Sequence, residues 1–159
     1  MRKANREVSD TAEILRIMRR CDVCRLALND EGFPYIVPLN FGVMEREGGQ
    51  VDLVFHSALE GRKLELMAKD PRASFEMDCG HVLQYFPEKG YCTMAYESVV
   101  GRGRIETVED EREKIAALDA LMAQFHPEGD APYSPASVPR TAVYRLRVES
   151  MVGKRKAPK

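Results

Sequence analysis

The chain has 159 residues, 44% of them hydrophobic and 31% charged, which fits a single globular domain over 1–159 with an ordered core across about 9–155. Its 24 lysines and arginines against 25 aspartates and glutamates leave a net charge of −1, which excludes a general nucleic-acid binder. No apolar run approaches the ~20 residues of a membrane helix, and the basic start "MRKANREVSD" lacks the apolar segment of a secretory leader, so a cytoplasmic protein with reduced cysteines is expected.

In chain order, Asp10 and Glu13 fit a capping box, and "TAEILRIMRR" carries Ile14, Leu15, Ile17 and Met18 on one broad helical face. "VCRLAL" reads as a strand, "NDEGFP" as a turn and "YIVPLNFGV" as the second arm of a hairpin. Pro38 has no N–H for a ladder, so that arm is an edge strand or carries a bulge. After the turn "EREGGQ" comes a third strand, "VDLVFHS", then a short helix from about Gly61 to Lys69, closed by Asp70-Pro71. "RASFEMD" is a fourth strand, and 79–90 reads as containing a loop. "YCTMAYESVVGRGRIE" is the longest strand candidate, where Gly101 and Gly103 imply a bulge or a close approach. Thr107 and Asp110 are candidate caps for the helix "EDEREKIAALDALMAQF", a Pro-rich loop "HPEGDAPYSPAS" follows, and "TAVYRLRVE" is a final strand. The basic end "GKRKAPK" reads as solvated and frayed. Short connections rule out parallel crossovers, so the fold class is mainly β with peripheral helices, an antiparallel barrel.

The chemistry concentrates in "VFHSALEGRKLELMAKDP". Alternation puts Leu53, Phe55 and Ser57 on one strand face and Asp52, Val54 and His56 on the other. Arg62 and Lys63 then stand in the first helical turn, where the positive end of the dipole disfavours cations and a bound anion would reverse the penalty. The bland alternative is two surface cations on a solvated helix start. His56 is either a catalytic imidazole or a structural histidine at a strand end. "CDVC" with Cys79 and His81 is an imperfect zinc pattern, and Cys21 and Cys24 read better as small buried hydrophobes. Glu97 and Ser98 interrupt an apolar run, as a solvent face or as a pocket wall.

"PYIVPLNFGV", "VFHSALEGRKLELMAKDPRASFEMD", "YESVVGRGRIE" and "ESMVGKRK", in this order over about 9–155, resemble the pyridoxamine 5′-phosphate oxidase-like proteins, in the branch of the 5-nitroimidazole-resistance (Nim) proteins. The resemblance implies a split β-barrel that binds flavin mononucleotide (FMN) at the interface of a homodimer and acts as an oxidoreductase on a small organic acceptor, nitro-aromatic reduction included. A non-catalytic flavin or haem store or sensor is the alternative within the family. It further implies a phosphate grip by Ser57, Arg62 and Lys63, a ring contact along Val37, Pro38, Leu39 and Asn40, His56 near the ring and substrate space, and Ser98 as a ring or partner-subunit contact. True pyridoxamine phosphate oxidases end in an Arg-containing substrate segment, whereas this chain ends "GKRKAPK", which points away from pyridoxamine phosphate as substrate.

Overall fold

The computed structural model describes residues 4–126, 128, 133, 134 and 136–158, so much of the expected Pro-rich loop (127, 129–132 and 135) lies outside the described residues. The elements run β1 (Glu7–Val8), α1 (Thr11–Met18), β2 (Cys24–Asp30), β3 (Phe33–Leu39), β4 (Gly42–Glu45), β5 (Val51–Ser57), α2 (Arg62–Lys69), β6 (Arg72–Phe86), β7 (Tyr91–Thr107), α3 (Glu111–Phe125) and β8 (Ala142–Lys156). All strand pairs are antiparallel, in the order β3-β2-β6-β7-β8-β5-β4, with β1 added to β8. The two outermost strands, β3 and β4, are joined by only Asn40 and Phe41. A flat sheet would hold its two edges several strand spacings of ~4.8 Å apart. So short a link requires the sheet to curl until its edges meet, and they meet without pairing. The result is a split barrel. Pro34 and Pro38 both lie on β3, an edge strand, where a missing N–H costs no ladder bond.

The barrel interior is filled by the alternate residues of each strand. Cys24, Leu26 and Leu28 of β2, Leu53 and Phe55 of β5, Phe75 and Met77 of β6, Val99 of β7, and Tyr144 and Leu146 of β8 are all buried there. Helix α1 closes one side with Ile14, Leu15, Ile17 and Met18, and its start is capped by Asp10, which accepts from the Glu13 N–H at 2.9 Å. The second side of β5 is also buried: Val54 packs with Val143, Val108 and the Ala117, Leu118 and Leu121 face of α3. Among the described residues no helix is long and apolar enough to cross a membrane.

Four readings of the sequence need correction. The loop expected within 79–90 is confined to a 3₁₀ turn at Pro87–Lys89, because β6 continues to Phe86. What disguised the strand is a bulge between Cys79 and Val82, where Gly80 takes a positive φ of 67°. The basic tail is not frayed as far as Lys156, because β8 runs through Lys154, Arg155 and Lys156 beside Ser98, Glu97 and Tyr96. "YIVPLNFGV" is two strands at opposite edges of the sheet rather than one. Thr107 ends β7, and Asp110 alone caps α3, accepting from the Glu113 N–H at 3.0 Å.

The paired glycines of β7 do mark a bulge, which falls between Arg102 and Gly103 against β8. A Cβ on Gly103 would come within 1.9 Å of the Arg147 carbonyl oxygen, and one on Gly101 within 2.4 Å of the Phe75 ring. The close approach expected there is therefore made by the protein's own core and backbone, not by a ligand.

Candidate functional site

Helix α2 begins where β5 ends, and its first turn has the chemistry of an anion site. Gly61 occupies the N-cap at φ 136°, a conformation L side chains rarely adopt, and no side chain caps the helix. The N–H groups of Arg62 and Lys63 precede any intrahelical acceptor and are left to a ligand or to water. Arg62 is already held by two carboxylates: Nη2 donates to Asp30 Oδ1 at 2.5 Å, Nε to Asp30 Oδ2 at 3.3 Å, and Nη1 to Glu65 Oε2 at 3.2 Å. These neighbours raise its pKa further and aim the guanidinium across the tip of the β2–β3 hairpin. Lys63 forms no ion pair among the described residues. Ser57 is half-buried and donates its hydroxyl to the Ala58 carbonyl at 2.9 Å, so it would have to turn away from that acceptor to reach an anion.

The Arg62–Asp30 contact fixes α2 against the end of the hairpin from which β3 departs. Val37 lies four residues beyond Phe33, ~13 Å along the strand. Helix α2 thus stands at one end of the unpaired edge of β3. On that strand Val37 and Leu39 stand opposite Leu26 and Cys24 and pack against the core, whereas Pro38 is exposed on the outer face. Asn40 is exposed, its amide donating to the Asp22 carbonyl at 3.3 Å.

His56 is not brought onto the side of Ser57. It is exposed on the β5 face that carries Val54, opposite Val143, with no hydrogen bond or ion pair among the described residues. Ser98 is half-buried on β7 between Asp78 and Lys154, away from α2 in the ladder. Its neighbour Glu97 is structural: buried, it accepts from both Arg20 and Arg155, and Arg155 also reaches Glu13 at 3.0 Å. Cys21 and Cys24 are buried in the core as small hydrophobes, and burial pushes both thiols up, Cys24 to about 12. His81 faces Asp78 at 2.7 Å rather than the thiols.

Two participants were not anticipated from the sequence. Asp30 sits in the turn "NDEGFP", where an aspartate signals only a turn until the hairpin tip is seen to reach α2. Tyr144 looks like one more alternating strand residue, yet its hydroxyl is buried beside that of Ser57 and burial raises its pKa to about 12.

Residues 10–155 match the family described as pyridoxamine 5′-phosphate oxidase. A candidate 5-nitroimidazole antibiotic resistance protein from Bacteroides thetaiotaomicron is 33% identical, with a TM-score of 0.81 over 93% of this chain and 85% of its own. The flavocytochrome Anf3 from Azotobacter vinelandii shares the fold at 19% identity, with a TM-score of 0.80 over 99% of this chain and 72% of its own. So does an FAD and heme binding protein from Mycobacterium smegmatis, at 18% identity and a TM-score of 0.80 over 96% of this chain and 74% of its own. No curated protein sequence matches the chain. A match over nearly the whole length, on a split barrel with the expected strand and helix order, means that the chain belongs to the pyridoxamine 5′-phosphate oxidase family.

Proposed function

We propose that this chain binds flavin mononucleotide, with its phosphate on Arg62, Lys63 and the first N–H groups of α2 and its ring along the edge of β3 at Val37, Pro38, Leu39 and Asn40, and that it reduces a small organic acceptor. One observation carries the reading: α2 opens with two cations and an uncapped, glycine-entered N-terminus. The first N–H groups of the helix lack intrahelical acceptors there, and the helix dipole favours an anion at that end. Family membership supports a flavin as the ligand class, and the fold's flavocytochrome and FAD-binding members support it further. When bound, the flavin supplies the electron transfer. The chain's own residues hold and orient. Arg62, steadied by Asp30 and Glu65, supplies a fork of donors, Lys63 a mobile ammonium, and the β3 edge unpaired backbone groups for the polar rim of a ring. A nitro-aromatic acceptor is in keeping with the name of the Bacteroides relative.

Titration of the flavin-free protein with FMN and with riboflavin tests the assignment. FMN is expected to bind much more tightly, and Arg62→Ala to weaken FMN by roughly tenfold to a hundredfold while leaving riboflavin unchanged. Equal affinity for the two flavins would remove the phosphate from α2. A visible spectrum of the protein as purified separates flavin, absorbing in the blue, from haem with its sharp Soret band.

A further inference from the structure

The end of α1 and the bulge of β6 bring together two free cysteines that lie far apart in the chain. Cys21 follows α1 and is 3% exposed, its thiol donating to the Ile17 carbonyl at 3.3 Å. Cys79 is the last residue of β6 in register before the bulge. It stands opposite Glu97 of β7, half-buried and packed against the same core as Cys21. The two segments touch: a Cβ on Gly80 would lie 3.5 Å from Arg20 Nη2, and the Cys79 side chain is within hydrogen-bond reach of the Cys21 thiol. Arg20 donates to Glu97, which ties this end of α1 to β7.

The two thiols differ in access. Burial first, then Cys79 and the carboxylates of Asp78 and Glu76, push the Cys21 thiol far up, so it stays protonated at neutral pH. Cys79 is partly open to solvent, as a thiol that meets an oxidant must be. Beyond it the register with β7 shifts and Gly80 takes a positive φ of 67°. The regular ladder therefore stops at Cys79, which leaves room to bring neighbouring sulfurs to the ~2.05 Å of a disulfide. The other two cysteines stand apart: buried Cys24 has Glu76 and Arg25 as its charged neighbours, and Cys92 is exposed on β7.

We propose that Cys21 and Cys79 are an oxidisable dithiol, a modification site at which a hydroperoxide converts the two thiols into a disulfide between the end of α1 and the β6 bulge. Cys79 attacks one peroxide oxygen as the thiolate and the O–O bond breaks. A sulfenic acid forms, and the departing hydroxide takes up the proton that Cys79 released, giving water. The Cys21 sulfur then attacks the Cys79 sulfur and the S–O bond breaks. The leaving hydroxide carries off the Cys21 proton as a second water. The thiols lose two electrons and two protons, and hydrogen peroxide is reduced to two waters. The site is separate from the candidate phosphate site on α2 and stands whether or not a flavin binds there.

The full chain carrying Cys92→Ser, which removes the exposed thiol able to link two chains, is treated with hydrogen peroxide with and without FMN. It is then unfolded, alkylated and digested without reductant for mass spectrometry. The expected product is a Cys21–Cys79 peptide pair, lighter than its parts by two hydrogens and abolished by dithiothreitol, with Cys24 still alkylated. With Cys21→Ser added, Cys79 should stop at the sulfenic acid and be captured by dimedone. With Cys79→Ser added, Cys21 should stay a thiol. The deciding link is read with both cysteines intact, so a poorly folding variant does not settle the outcome. The assignment fails if peroxide joins Cys21 to Cys24, leaves both Cys21 and Cys79 as thiols, oxidises Cys79 without linking it to Cys21, or still oxidises Cys21 when Cys79 is gone.

Discussion

His56 stands on the outer face of β5, exposed and without a hydrogen bond among the described residues, so the backbone tie expected of a structural histidine is absent. Replacing it should therefore barely touch the fold, within about 0.5 kcal/mol. If it delivers a proton to a substrate as that substrate is reduced, His56→Ala keeps its flavin and loses turnover by roughly 10²–10⁴-fold, as steady-state rates per bound flavin would show. Full activity in a loaded variant would retire the catalytic role. Buried thiols and phenols, Cys24 and Tyr144 among them, shape the behaviour of the protein in alkali. Cys24 and Tyr144 have ordinary values of 9.0 and 10.0, and burial raises each to about 12. Both are neutral in the core, so their contribution is fully present below the unfolded values and is lost as pH rises toward the folded ones. The melting temperature should fall between about pH 9 and 12, and Cys24→Ala should lessen the earlier part of that fall, to which the buried Cys21 thiol also contributes.

At the scale of elements, the end of β8 is held by charge as well as by its ladder. Glu97 of β7 lies under Arg155 of β8 and Arg20 just after α1, and Arg155 reaches on to Glu13 within α1. The carboxylate side chain is only 11% exposed and is paired with those two guanidinium groups. Glu97→Gln preserves shape and removes the charge, and should destabilise the fold by about 1–3 kcal/mol in urea unfolding. A double-mutant cycle with Arg155→Ala should show strong coupling; additive effects would mean that the pair contributes little. Helix α3 extends this linkage, since Gln124 donates to the Met18 and Cys21 carbonyls at 3.1 and 2.8 Å and so closes the C-terminus of α1.

For the whole molecule, the β6–β7 hairpin outruns its neighbours. β2 pairs with β6 only as far as Glu76, and β8 with β7 only as far as Tyr96, so beyond these points the hairpin is a two-stranded ribbon. On it Val82, Leu83, Tyr85 and Met94 are 50%, 63%, 70% and 41% exposed. A two-stranded ribbon is marginal alone, and such apolar exposure favours association. We propose a homodimer in which this arm and the outer face around Val100 pack against a second copy, near Ser98. Val99, between Ser98 and Val100 on β7, is buried in the barrel core and takes no part in that face. Light scattering at micromolar concentration should give about twice the 18.0 kDa chain mass. Leu83→Lys with Tyr85→Lys should shift it toward a monomer. A wild-type chain that stays monomeric while binding flavin tightly would overturn the shared interface.

Signals confined to a few residues were legible in the sequence. Asp10 and Asp110 cap their helices, Asp70-Pro71 stops α2, and period-two alternation separated Phe55 from His56 correctly. The cation-bearing start of α2 was legible for the same reason, because capping and dipole effects act within one turn. Tertiary structure decided whatever depends on a distant partner. "KRK" is a strand because β7 offers it a ladder, and 82–86 is a strand because 91–95 lies opposite, neither of which leaves a local mark. The buried face of α3 turned on Ala117, Leu118 and Leu121, leaving Ile115 and Phe125 37% and 41% exposed, because β5 and not helical periodicity alone chose the side that docks. The contact of Arg62 with Asp30 and the burial of the Tyr144 hydroxyl beside Ser57 likewise exist only once the sheet has curled, since pairing order across a barrel is set by non-local burial.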